Sequence, residues 1–64
     1  MTKDEAMRLN EMVSEAYMKL DDIMYNLIGI QNEATTDEEY NEIEIKINTV
    51  QLAMDSLPTF FGGE

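Results

Sequence analysis

A heptad pattern of apolar residues constrains this chain more than any other feature of its sequence. From Ala6 onward, successive apolar positions are separated alternately by three and four residues, without a break, as far as Ile30. The members of this row are Ala6, Leu9, Val13, Ala16, Leu20, Ile23, Leu27 and Ile30. Such spacing places every member on one side of an α-helix. The sequence therefore predicts a first helix over about residues 2–32 that packs along this row.

Two pairs of residues mark where helices begin. Thr2 is followed three residues later by Glu5, and Thr36 is followed in the same way by Glu39. In this arrangement, a capping box, the hydroxyl and the carboxylate each bind a backbone N–H at the start of a helix. The pairs predict a loop at about residues 33–36 and a second helix that begins near residue 37.

The second helix has an apolar row of its own. Its members are Tyr40, Ile43, Ile47, Val50, Met54 and Leu57. Because the residue before a proline is disfavoured in helical geometry, Pro58 should end the helix at about residue 57. A tail of residues 58–64 follows.

A strand is the alternative structure for residues 42–48. Ile43, Ile45 and Ile47 alternate there with polar residues, and such alternation is typical of a β-strand. A lone strand would have no partner strand in this chain, and the apolar row continues at helical spacing to Leu57. The sequence therefore favours a helix here.

These elements predict an all-α fold, an αα-hairpin of two antiparallel helices in one small domain covering residues 1–64. A chain of 64 residues buries little surface when it folds, so a monomer of this size is only marginally stable. Further apolar residues also lie outside the two rows. We therefore expect hairpins to associate into a helical bundle as a homodimer or higher oligomer. The residues expected at the oligomer seam are Leu9, Val13, Leu20, Ile23, Leu27, Ile30, Ile43, Ile47, Val50 and Met54.

Composition narrows the chemistry of the chain. It contains no Cys and no His, which excludes zinc fingers, disulfides, thiol nucleophiles and imidazole bases. The pair Glu39-x-x-Glu42 resembles half of the metal-binding pattern of all-α nucleotide pyrophosphatases, but the later Glu-x-x-Asp is absent. We therefore expect no enzyme activity, no catalytic residues, no metal site and no cofactor.

Charge narrows the class of partner. Fourteen acidic residues stand against four basic ones, for a net charge of −10. Nucleic acids and anionic membrane surfaces require clustered basic residues, so direct binding to either is not expected. The acidic start lacks the apolar core of a signal peptide, and no apolar run is long enough to cross a membrane. A cytoplasmic location is expected, that of the host if the protein is viral.

Carboxylates and the apolar residues outside the rows are the candidate contacts for a partner protein with a basic surface. Methionine adapts to irregular surfaces, and aromatic residues dominate interface energetics. The candidates are Glu11, Glu15, Asp22, Glu38, Glu42, Met7, Met18, Tyr25, Phe60 and Phe61. The two phenylalanines either fold back as a plug at the end of the bundle or insert into the partner as an anchor.

Three functions fit this pattern. The first is a non-enzymatic inhibitor or adaptor that blocks a host or defence protein, because small acidic chains without cysteine are typical of phage and mobile-element inhibitors. A narrower version mimics the charge of DNA. The second is an oligomeric sponge for nucleotides, in which Arg8 would grip a phosphate. The third is a structural dimerisation or scaffold module.

Overall fold

The computed structural model describes residues 1–62, which form two α-helices packed side by side. Helix α1 spans Lys3–Asn32, and helix α2 spans Asp37–Asp55. The end of α1 lies beside the start of α2, where the Gln31 side chain donates a hydrogen bond to the carbonyl of Tyr40. The predicted all-α helical hairpin is confirmed, and residues 42–48 lie within α2.

The helix starts follow the capping signals, with one difference. At α1, the Thr2 hydroxyl accepts from the Glu5 N–H at 3.2 Å, and the Glu5 carboxylate accepts from the Thr2 N–H at 3.4 Å, which closes the box. At α2, the Thr36 hydroxyl accepts from the Glu39 N–H at 3.2 Å. The Glu39 carboxylate accepts instead from the N–H of Thr35, so the second box is only half formed.

Helix α2 ends two residues before the predicted limit. Ser56 is its C-cap, and the Ser56 hydroxyl donates to the carbonyl of Leu52 at 2.7 Å. The same carbonyl also accepts from the Ser56 backbone N–H at 3.0 Å, so Ser56 holds it with two hydrogen bonds. Leu57, which precedes Pro58, then lies outside the helix.

The contact line between the helices departs from the predicted row in the second half of α1. Ile23 and Ile30 are 47% and 53% exposed, whereas Met24 is partly covered and Gln31 is buried. A straight helix of 3.6 residues per turn returns to the same angle after about 18 residues, so Met24 lies in line with Ala6. The predicted row follows a spacing of 3.5 and drifts away from that line.

The two helices form a thin layer with little core. The Cα trace extends over 55 × 15 × 8 Å, and among residues 1–62 the only buried apolar side chains are those of Ala6 and Met54. Ile43, Ile47, Val50 and Leu57 are partly covered, whereas Tyr40 is exposed. Both broad faces of the layer are therefore open.

The tail returns along the first turns of α1. The side-chain amide of Asn10 donates to the carbonyl of Phe60 and accepts from its N–H, both at 2.8 Å. Gly62 then lies against the backbone of Lys3, where a Cβ would approach Lys3 Cα to 2.5 Å. Neither α1 nor α2 combines the length and the hydropathy of a membrane-spanning helix.

Candidate interaction surfaces

The edge of α1 that faces away from α2 is lined with carboxylates. At about 100° per residue, the positions on this outer edge fall within a stripe about 40° wide that extends for about 27 Å. They are Asp4, Glu11, Glu15 and Asp22, all exposed. The one ion pair formed within residues 1–62 joins Lys46 to Glu42 in α2, at 3.9 Å. The outer edge of α1 is therefore a line of carboxylates without ion pairs, flanked on one side by Arg8 and Lys19.

A row of large apolar side chains lies directly beside these carboxylates. Met7, Met18 and Tyr25 are 54%, 64% and 72% exposed, respectively. Their helical angles lie within about 20° of one another and about 20–80° from the acidic stripe. We call this row, together with Glu11, Glu15 and Asp22, the α1 outer surface. It unites six of the ten residues predicted to bind a partner.

The remaining four predicted residues lie elsewhere. Glu38 and Glu42 are exposed on α2, and Glu42 pairs with Lys46. Phe60 is partly covered, with its backbone held by Asn10, whereas Phe61 is 81% exposed. The two phenylalanines therefore have different surroundings: the first packs back against the hairpin, and the second faces solvent.

A second exposed apolar row lies on the other side of α1. Met12, Ile23 and Ile30 share one stripe, since Met12 and Ile30 are five full turns apart. This Met12–Ile30 row is rotated by about 140° from Met7, Met18 and Tyr25. The sequence interpretation placed Ile23 and Ile30 at the expected oligomer seam but missed this row, because it kept the two isoleucines on one line with Leu20 and Leu27 and assigned Met12 no role. Residues 18 apart in the sequence, such as Met12 and Ile30, lie at the same angle around a helix, and this relation could have revealed the row.

An open groove adjoins the end of the Met12–Ile30 row, near the loop between the helices. Its lining residues are Ile30, Glu33, Ala34, Glu39, Glu42, Ile43 and Lys46. Three carboxylates stand against one ammonium group there, and Arg8 is not part of the lining. A nucleotide phosphate would be repelled from this groove, so the predicted nucleotide sponge gains no support from it.

The described residues contain no group of three or more Asp, Glu, His or Cys side chains placed to hold a metal ion. No protein-family model, no curated protein and no solved structure matches this chain. Its exposed surfaces are the features from which a function can be inferred.

Proposed function

We propose that this chain is a non-enzymatic binding protein whose α1 outer surface binds a partner protein. One observation supports this most: an exposed row of two methionines and a tyrosine runs beside an unpaired line of carboxylates on a single helix of 30 residues. The partner fitting this surface presents an apolar cleft bordered by Lys and Arg. Apolar side chains that fill the cleft supply most of the affinity, and the carboxylates supply orientation and a faster approach.

An inhibitor or adaptor is the role that this proposal favours. A small acidic protein that covers a basic, functional cleft blocks whatever that cleft normally binds. A host or defence protein in the cytoplasm is the proposed target, and the chain would then be of phage or mobile-element type.

Mimicry of DNA is the narrower version of this role. Four carboxylates over about 27 Å of α1 are about 9 Å apart, whereas each DNA strand carries a phosphate every 3.4 Å or so along the axis. The acidic edge is thus sparser than a nucleic acid strand. This comparison favours a partner recognised by apolar contacts together with charge, rather than by charge alone.

Quantitative capture with matched variants tests the α1 outer surface. The tagged chain is incubated with an extract of the cells in which it acts, and retained proteins are measured by mass spectrometry. We expect specific partners to be lost from Met7→Ser/Met18→Ser/Tyr25→Ser. The control is Ile45→Ser/Leu52→Ser, which removes two equally exposed apolar residues from the far edge of α2.

Two results would count against this surface. One is a partner lost from the control variant but kept by the triple variant. The other is the absence of any protein that distinguishes the wild type from both variants, which would favour a structural dimerisation module. Competition by duplex DNA for the captured protein then tests mimicry, since a mimic occupies the groove that DNA occupies.

We also propose that the chain acts as a homo-oligomer, in which hairpins pack together as a helical bundle. The support is the thinness of the layer: among residues 1–62 only two apolar side chains are buried. A small domain without disulfides gains stability from a second copy that covers its open apolar face.

A further inference from the structure

We infer that the Met12–Ile30 row is the surface through which two copies of this chain associate, in an antiparallel, two-fold arrangement. The inference rests on the proposed self-association and is independent of partner binding at the α1 outer surface. Three observations support it: the surface area of the hairpin, the distribution of its charges and the position of its cations along α1.

The exposed surface area of the hairpin is large enough for one protein–protein interface of standard size per chain. The hairpin exposes 5230 Å². A folded monomer of 7.4 kDa typically exposes about 4,200 Å², so the excess is about 1,000 Å². A stable protein–protein interface covers about 800 Å² on each partner. A single second copy on one face of the layer therefore suffices to bring the exposed surface into the usual range.

The distribution of charge selects the face. Two chains with a net charge of −10 repel each other, so they must meet where the negative charge is weakest. Arg8 and Lys19 lie one helical turn before Met12 and Ile23, and Lys46 lines the groove beside Ile30. Lys19 and Lys46 thus lie beside this row, whereas Arg8 lies between the row and the acidic edge of α1. The outer edge of α1 carries four carboxylates within its stripe, whereas the stripe of the Met12–Ile30 row carries one, that of Glu5.

The position of these charges along α1 selects the orientation. Arg8 lies near the start of the row, whereas Glu33, Glu39 and Glu42 line the groove at its other end. A two-fold axis through the middle of the row places the start of one copy over the groove of the other. Met12 then faces Ile30 of the second copy, and Arg8 faces carboxylates. A parallel arrangement would bring the two acidic grooves together.

Analytical ultracentrifugation over a range of concentrations tests the face. We expect the wild type to be a dimer, and Ile23→Asp to weaken dimerisation at least thirtyfold because a charge would be buried without a partner. The matched control is Tyr25→Asp on the opposite side, which should leave the dimer unchanged. A monomeric wild type would overturn the proposed self-association itself. A dimer that Tyr25→Asp disrupts and Ile23→Asp does not would overturn only the face.

A folding control and a crosslinking experiment complete the test. Helix content is measured by circular dichroism, and if Ile23→Asp unfolds the chain, Ile23→Ala replaces it, with about a tenfold weakening expected. Because the chain has no cysteine, a mixture of Met12→Cys and Ile30→Cys chains reports the orientation. Faster disulfide formation between unlike chains than between like chains supports the antiparallel arrangement. Faster formation between like chains overturns it.

Discussion

At the scale of single residues, Asn10 connects the tail to the first helix. Its side-chain NH2 group donates to the carbonyl of Phe60 and its side-chain oxygen accepts from the Phe60 N–H, as a neighbouring peptide group would. The sequence shows only a polar residue next to the apolar row, so its role could not be predicted. The return of the tail follows from this long-range pairing, because two backbone groups of Phe60 gain partners.

Replacement of Asn10 tests this connection. Asn10→Ala should lower the free energy of unfolding by about 1–2 kcal/mol, since two hydrogen bonds are lost, and should speed amide hydrogen exchange at Phe60. Asn26→Ala is the matched control, because Asn26 is exposed on the same helix and gains the same helix propensity from alanine. Equal stability of the two variants, with unchanged exchange at Phe60, would contradict this role of Asn10.

Gln31 shows why the packing at single positions escapes a pattern based on hydrophobicity. It is buried where an apolar residue was expected, and its side-chain amide donates to the Glu44 carboxylate at 2.5 Å and to the Tyr40 carbonyl at 3.4 Å. A buried polar group is tolerated when it is hydrogen-bonded. Only the position of Glu44 on the neighbouring helix, which the sequence does not specify, makes Gln31 suitable there.

At the scale of helices, the sequence predicted well that two helices exist and where each begins and ends. Local signals are responsible: Thr2 and Thr36 cap the helix starts through bonds to residues three positions away, and Pro58 lies just beyond the end of α2. The face of each helix that packs against the other was less predictable. Whether a row is packed or exposed depends on the twist of one helix around another, and this hairpin leaves Ile23 and Ile30 uncovered because α1 does not follow the 3.5-residue repeat.

The cap of α2 offers a test at this scale. Thr36→Ala should lower the free energy of unfolding by about 1 kcal/mol, because the N–H of Glu39 loses its acceptor. Thr35→Ala is the control, since at Thr35 the backbone N–H rather than the hydroxyl makes the bond to Glu39. Thermal or urea unfolding measures both. A larger loss for Thr35→Ala than for Thr36→Ala would show that the start of α2 is held differently.

At the scale of the whole molecule, two apolar rows on different sides of α1 meet different electrostatic surroundings. Met7, Met18 and Tyr25 lie beside the four carboxylates of the outer edge, whereas the stripe of the Met12–Ile30 row carries only the carboxylate of Glu5 and has Lys19 and Lys46 beside it. The composition of the chain could not reveal this division, because it depends on the angle of each residue around the helix. The two proposed interactions, self-association and binding of a basic protein, therefore use different sides of α1.

Salt should therefore affect the two proposed interactions in opposite directions. Raising the ionic strength from about 10 mM to about 1 M shortens the Debye length from about 30 Å to about 3 Å, which screens the repulsion between two chains of charge −10. Exposed ion pairs across the dimer are worth only about 0–1 kcal/mol each, so the screened repulsion dominates and dimerisation should strengthen. Binding of a basic partner should weaken, because there the screened force is attractive.

Sedimentation equilibrium in sodium chloride measures the first effect, and titration of the captured partner measures the second. Glu11→Gln/Glu15→Gln/Asp22→Asn is the decisive variant, since it removes three negative charges from the α1 outer surface without touching the Met12–Ile30 row. It should make dimerisation less dependent on salt, because the repulsion between copies is smaller. It should also make partner binding less dependent on salt, because the attraction to the partner is smaller. A dimer that weakens steadily with salt would mean that charge pairs, rather than the apolar row, hold the copies together.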